Sequence, residues 1–212
     1  MITVAELARA AHRAFELARA EPDVREVEVF ASANTGLLAR LCYTSHIPCN
    51  GVEEPKSSSG HGLGLQVVFE HPDGPRVGFG SEAGDLGPDG ARRALVKARG
   101  AAVVDPAFLS LPRPTSERRT LTGYHDPDLM RISDDRLVEA GWTVVHGGLR
   151  AFLTSPRLRE LAKDDEALAR LGLILGGDVS ILQERMAVVS SSLPEVQTDE
   201  STLLTAFVTA MV

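Results

Sequence analysis

Three sets of residues in this 212-residue chain are of types that do chemistry. The first is its histidines, His12, His46, His61, His71, His125 and His146. A zinc peptidase helix carries His-Glu-x-x-His, or a similar pair one turn apart, so that both imidazoles reach one metal. None of the six has a second histidine three to five residues away. His61 and His71 stand ten apart across a presumed strand, without the carboxylates that would complete a site between them. All six read as surface or hydrogen-bonded histidines.

The second set is Ser57-Ser58-Ser59-Gly60-His61-Gly62-Leu63-Gly64. A dinucleotide loop places its glycines after a strand and before a helix, so that the helix N-terminus faces the pyrophosphate. Here the glycines precede an alternating segment, so they read as a bulge or a close approach of backbones. The serines lack a histidine–carboxylate pair at a spacing that would make one of them a nucleophile, and they read as a polar strand edge. The third set is Tyr124-His125-Asp126-Pro127-Asp128 with Asp134 and Asp135. Two carboxylates and a histidine could bind a metal, but Asp-Pro turn chemistry and acids in the first turn of a helix account for the same residues.

The elements that would hold these groups follow from periodicity. Thr3 to Glu6 is a capping box, and Leu7, Ala11, Phe15 and Ala18 continue it as a helix of about 17 residues ending before Pro22. From Glu26 the period becomes two, with Val27, Val29 and Ala31 buried and Glu26, Glu28 and Phe30 outward. Gly36 to Tyr43 is expected as a second strand and Gly62 to Glu70 as a third. His71-Pro72-Asp73-Gly74-Pro75 turns the chain into a returning strand, Arg76 to Gly80. Pro88 sits at the first position of a second helix, whose small face is Ala91, Leu95, Ala98 and Ala102. Residues 105–124, with Pro106, Pro112 and Pro114, read as an extended surface connection.

Ser133 caps a third helix with the stripe Leu137, Gly141, Val145, Leu149 and Phe152, and Trp142 near that stripe is a core anchor. Ser155-Pro156 stops it. Residues 157–171 are expected as a fourth helix, and 173–175 with 179–190 as strands joined at Gly176-Gly177. Residues 203–212 alternate like a strand just begun, with no cap or polar tail after them. The expectation is a fragment of a longer protein. The fold class is α+β: an antiparallel sheet of hairpin-connected strands with three to four helices, followed by the start of a second β-rich region.

Bulk properties narrow the function. The net charge of −7 speaks against nucleic acid as the main ligand, and Arg113, Arg118 and Arg119 are interrupted by Pro114 and Glu117, as in a solvated loop. No apolar run reaches the ~20 residues of a bilayer span, and the start Ala5-Glu6-Leu7-Ala8-Arg9 is amphipathic rather than a signal sequence. A cytoplasmic protein with no membrane partner is expected. Cys42 and Cys49 do not form a secreted disulfide framework; a bridge between them is conceivable, and idle thiols are the default.

The landmarks, taken in order, resemble the N-terminal half of the TldD/PmbA family, the "modulator of DNA gyrase" proteins regarded as metallopeptidases. They are Glu26-Val27-Glu28-Val29-Phe30, Asn50-Gly51-Val52-Glu53, Ser57-Ser58-Ser59 leading into Gly62-Leu63-Gly64-Leu65-Gln66-Val67, and Gly78-Phe79-Gly80-Ser81. Asp85-Leu86 with the helix after Pro88, Asp105-Pro106, and Glu184 to Ser191 follow. The likeness covers 1–152 well and 173–212 loosely, and 156–171 look like an addition. It implies an N-terminal α+β domain over 1–152, a helical connection over 153–172, and a truncated β-rich region from 173 to 212. Asn50, Gly51, Ser58, Ser59, Gly62, Gly64, Gly78 and Phe79 match the family pattern and are read as structural.

The resemblance implies a zinc-dependent protein acting on peptides or unfolded polypeptides, as a homodimer or as a heterodimer with a paralogous subunit. In the family the zinc motif, His-Glu-x-x-x-His, lies beyond this region and is absent from these residues, so no catalytic or metal residue carries over and no cofactor is expected in this chain. Either the fragment ends before the motif, or the protein is the partner-type subunit that lacks it. A small-molecule or nucleotide-binding domain is a third class, supported by the glycine loop alone.

Overall fold

The computed structural model describes residues 2–47, 51–115, 121–162 and 164–212, the side chain of Pro194 excepted. It divides into two compact units: residues 1–35, 59–125 and 183–201 form the first, and 36–58, 126–182 and 202–212 the second. One six-stranded sheet, in the order β4-β3-β2-β1-β5-β6, supplies strands to both. These are β1 (Val24–Thr44), β2 (Lys56–Phe69), β3 (Arg76–Ala83), β4 (Val103–Val104), β5 (Ile174–Ser190) and β6 (Leu193–Met211). The sheet is antiparallel and the class is α+β, as the period-two segments and short turns imply.

In the first unit, α1 (Val4–Arg19) starts at the capping box read from the sequence. The Thr3 amide donates to Glu6 Oε2 at 2.8 Å, and the Glu6 amide donates back to Thr3 Oγ1 at 3.2 Å. Its buried stripe of Leu7, Ala11, Ala14, Phe15 and Ala18 packs on Val27, Val29, Ala31 and Ala33 of β1 and on Leu63, Leu65, Val67 and Phe69 of β2. Helix α2 (Pro88–Gly100) adds Ala91, Ala94, Leu95 and Ala98. The hairpin register runs from Gly62 opposite Ala83 to Phe69 opposite Arg76. Gly78 and Gly80 let α2 lie directly on β3, because a side chain at either would drive into the carbonyls of Ala98 or Ala94.

The connection after β4 is tied down by side chains. Leu111 is buried, and its amide donates to Glu26 Oε2 at 3.0 Å. Arg25 and Arg113 lie 3.3 and 3.8 Å from the other carboxylate oxygen, and the Ser192 hydroxyl donates to the Pro112 carbonyl at 2.7 Å. Alternation puts Glu26 on the outward side of β1, but this cover buries it. Arg118 and Arg119 lie outside the described residues.

In the second unit, α3 (Asp134–Thr154) is capped by the Ser133 hydroxyl, which accepts from the Arg136 amide. Leu137, Val145 and Phe152 pack with Ala39 and Leu41 of β1 and with Leu173, Leu175, Val179 and Ile181. The Ser45 amide donates to the Leu173 carbonyl and the Leu173 amide to Ser45 Oγ, both at 2.9 Å. In the first unit the Ser191 amide reaches the Val27 carbonyl at 2.9 Å, so β1 and β5 run antiparallel with equal numbers of residues between their two pinned ends.

Several expectations change. The strands expected at Glu26–Ala31 and Gly36–Tyr43 are one strand, because Asn34-Thr35-Gly36 stays extended. Gly176-Gly177 likewise lies inside β5, and Gly177 lets the β6 backbone at Phe207 come close. Residues 203–212 are not a strand's beginning but the far half of β6. The single helix expected over 157–171 is two, α4 (Pro156–Leu161) and α5 (Asp165–Leu171), because Asp164 Oδ1 accepts from the Ala167 amide at 2.7 Å and starts a new one. Ala102 follows the end of α2 instead of lying on it, and β4 and a short turn of 3-10 helix at Leu129–Arg131 had no periodic signal.

Candidate functional site

The glycines singled out in the sequence sit within β2, not in a loop before a helix. Gly60, Gly62 and Gly64 fall on alternate residues of the strand, on the face opposite to buried Leu63, Leu65 and Val67. That face holds a cleft of about 350 Å³, with exposed Phe30 and Phe79 in its walls and Ser32, Asn34 and Ser81 between them. One of its glycines is required locally and a second is closely covered. A Cβ on Gly62 would stand 2.6 Å from the Glu82 carbonyl oxygen, and one on Gly64 would stand 3.2 Å from the Phe79 ring. Phe79 thus lies over the bare backbone of Gly64, an aromatic covering a strand glycine. Gly60 has open space above it.

The ionisable groups at this cleft are already engaged. Glu82 accepts from Lys97 Nζ at 2.7 Å and Arg93 Nε at 2.9 Å, and these two cations hold its carboxyl below the usual glutamate range. Asp85 is held low first by the Gly87 amide, which donates to it at 2.8 Å, and then by Arg93. A carboxylate kept ionised and paired in this way is a poor proton donor at neutral pH. His61 places Nε2 at 3.2 Å from the Gly84 carbonyl oxygen, an interaction that ties β2 to the end of β3.

The second unit has its own cleft of about 430 Å³, lined by Gly36, Leu38, Ser57, Ser58, Leu182 and Leu203 among others. Its walls are mostly aliphatic. Ser58 faces Gly36, where a Cβ would stand 3.3 Å from the hydroxyl oxygen, and Ser59 is exposed on β2. Gly51 lies under Trp142, whose ring occupies the space a side chain there would need, and the Gly51 carbonyl accepts from the Cys42 amide at 2.8 Å. Trp142 is half-buried against the second core, with the His146 ring 5.7 Å from its own. Asn50 and Cys49 lie outside the described residues. Gly51, Gly62, Gly64 and Gly78 each lie close under a neighbouring group.

The remaining histidines and acids are dispersed. His71 Nδ1 is 3.5 Å from Asp73 Oδ2 in the hairpin turn, and His46 packs beneath Gly172. Asp126 Oδ1 accepts from the Asp128 amide at 2.9 Å, which is the turn chemistry that Asp-Pro suggested. Tyr124 donates to Asp199 at 3.1 Å, and that bond pushes its hydroxyl above the ordinary tyrosine value. Among the described residues no three His, Cys, Asp or Glu side chains are grouped so as to hold a metal ion. Among the same residues no helix is long and apolar enough to cross a membrane. The sequence had no signal for Phe30 as a cleft wall or for the pairing of Trp142 with Gly51, since both depend on contacts between distant segments.

No family model matches the chain, and no curated protein matches it. Solved structures do. A candidate modulator of DNA gyrase from Bacteroides thetaiotaomicron superimposes with a TM-score of 0.61 at 15% identity, covering 99% of this chain and 41% of the other. TldE from Thermococcus kodakarensis gives 0.53 at 16% identity, covering 98% and 42%. A candidate gyrase modulator from Thermotoga maritima gives 0.51 at 11% identity, covering 93% and 38%. The chain thus spans about two fifths of the length of the structures it matches. It has the fold of these gyrase-modulator and TldE structures, in agreement with the TldD/PmbA resemblance read from its sequence.

Proposed function

We propose that this chain is the N-terminal part of a TldD/PmbA-like metallopeptidase acting on peptides or unfolded polypeptides, its zinc motif lying outside these residues. The observation that carries the reading is the agreement between the ordered sequence motifs and the fold shared with the gyrase-modulator and TldE structures. The residues present do not fit a zinc ion, because the described donors are scattered and those near one another serve turns and ion pairs. No hydrolytic step is therefore assigned to this chain. Its part in the reading is to help enclose and admit the polypeptide. A cytoplasmic location is part of the same proposal.

A second reading is a non-catalytic partner subunit, pairing as a homodimer or with a paralogue and helping to recognise substrate. The fold shared with the TldE structure and the scattered donors among the described residues fit it as they fit the first reading. Sequencing the coding region past Val212 and assaying its product separates the two. For the first reading, a downstream His-Glu-x-x-x-His and chelator-sensitive hydrolysis of an unfolded polypeptide are expected, while the 212-residue chain alone is inactive and binds no stoichiometric zinc. One zinc held tightly by this chain would contradict both readings. A full-length product without the motif, inactive alone but retained by a paralogue, would leave the second.

A further inference from the structure

The cleft of about 350 Å³ over β1, β2 and β3 is lined entirely by residues of the first unit. Its floor is the backbone of Gly60, Gly62 and Gly64, and the exposed rings of Phe30 and Phe79 stand in its walls. Phe79 covers Gly64, whereas nothing lies within 4 Å of the place a Cβ on Gly60 would take, so the cleft stays open at its Gly60 end. The side chains of Ser32, Asn34 and Ser81 make no hydrogen bond among the described residues. Apolar walls with a few free polar groups between them are the make-up of a ligand cleft.

We propose that this cleft binds a large apolar side chain of an unfolded polypeptide, with Ser32, Asn34 and Ser81 holding the flanking peptide groups. Its size sets one limit, since ligand clefts run from roughly 300 to 1,000 Å³ and this one is at the small end. That suits a side chain with its adjoining backbone. The Asn34 amide and the two hydroxyls each donate and accept, as a peptide group requires of its partners. An apolar group entering between Phe30 and Phe79 removes from water surface that both sides otherwise expose.

Charge selects a neutral occupant. Glu82 is the carboxylate in the lining, and Lys97 and Arg93 take one of its oxygens each. No unpaired ion among the described lining residues remains to compensate a second buried charge, so a charged side chain would lose its hydration without return. The inference rests on the role proposed above, admitting a polypeptide, and assigns residues to it.

Titration of the isotope-labelled 212-residue chain with blocked peptides Ac-Ala-Ala-X-Ala-Ala-NH2 tests it, where X is Phe, Ala or Glu. The readout is the magnetic resonance shift of the Gly60 and Gly62 amides and the Asn34 side-chain amide. The Phe peptide is expected to bind with a Kd on the order of 1 mM, about tenfold tighter than the Ala peptide, and the Glu peptide to leave these signals unmoved. Gly60→Val places its Cβ in open space, so it should melt no lower than wild type yet bind the Phe peptide about tenfold more weakly. Leu161→Ser, at an exposed position of α4, should bind like wild type. Unmoved signals with the Phe peptide, equal binding of the Phe and Glu peptides, or wild-type binding by Gly60→Val overturns the inference. Binding by a protein whose longer product lacks a zinc motif would remove the hydrolase and leave the cleft. Hydrolysis of a Phe-containing substrate by that product, with the same KM in wild type and Gly60→Val, would keep the hydrolase and remove the cleft.

Discussion

At one edge of the sheet β4 is two residues long and covers only Arg76 and Val77 of β3. Further along β3, Lys97 donates to the Ser81 carbonyl at 2.8 Å and joins Arg93 on the Glu82 carboxylate. At the other edge β6 runs 19 residues and presents an uncharged apolar stretch. A short strand and charged side chains are what discourage a β3-type edge from pairing, and their absence invites it. The same sheet therefore has one border blunted by brevity and charge and another formed by a long strand whose far half carries no charge.

The largest expected effect breaks the blunted edge. Gly80→Val would force α2 off β3, and more than 4 kcal/mol of stability should be lost, enough to leave no cooperative unfolding transition by circular dichroism. Gly60→Val, on the same hairpin but with open space above it, should be neutral or up to about 1 kcal/mol more stable. If both variants behaved alike, the close seating of α2 would be wrong.

A smaller effect concerns the anchor of α2. Arg99 bonds Asp23 at 2.8 Å and Glu21 at 3.0 Å and lies 5.1 Å from the centre of the Phe69 ring. Arg99→Ala should cost about 1 kcal/mol, since the ion pairs are partly solvated. The hydrogen bond from Arg99 holds the Asp23 carboxyl below the usual aspartate range. A group depressed in the folded state stabilises above its unfolded value and loses that stabilisation as pH falls through the folded one. The ion-pair part of the gap between wild type and Arg99→Ala should therefore be constant near neutrality and shrink below about pH 4, leaving the aromatic contact. Thermal melts from pH 7 to 3 check this. Lys97→Ala, at the rim of the blunted edge, should cost about 0.5 kcal/mol, and less in high salt.

Much of the fold was legible in the sequence because helix caps and period-two runs are local. Thr3, Pro88 and Ser133 each mark the start of a helix. What was not legible depends on partners far along the chain. Asn34 to Gly36 and Gly176-Gly177 read as breaks, yet strands on both sides hold them extended. Glu26 read as outward-facing, but the connection near Leu111 covers it. The division into units, each assembled from three separate stretches, leaves no periodic trace. For the candidate site, the glycines before an alternating strand suggested a bulge or a close backbone approach, and it is Gly62 that meets the backbone of β3, while Gly60 has open space above it. Spacing could not reveal which side chains face these glycines, because Phe30 and Phe79 meet that strand only across the sheet.

The reading of this chain as one part of a longer metallopeptidase-like protein is tested most directly by metal analysis of the purified 212-residue chain after incubation with zinc and gel filtration. No stoichiometric zinc is expected, because the described donors are scattered among turns and ion pairs. One tightly held zinc per chain would contradict the account.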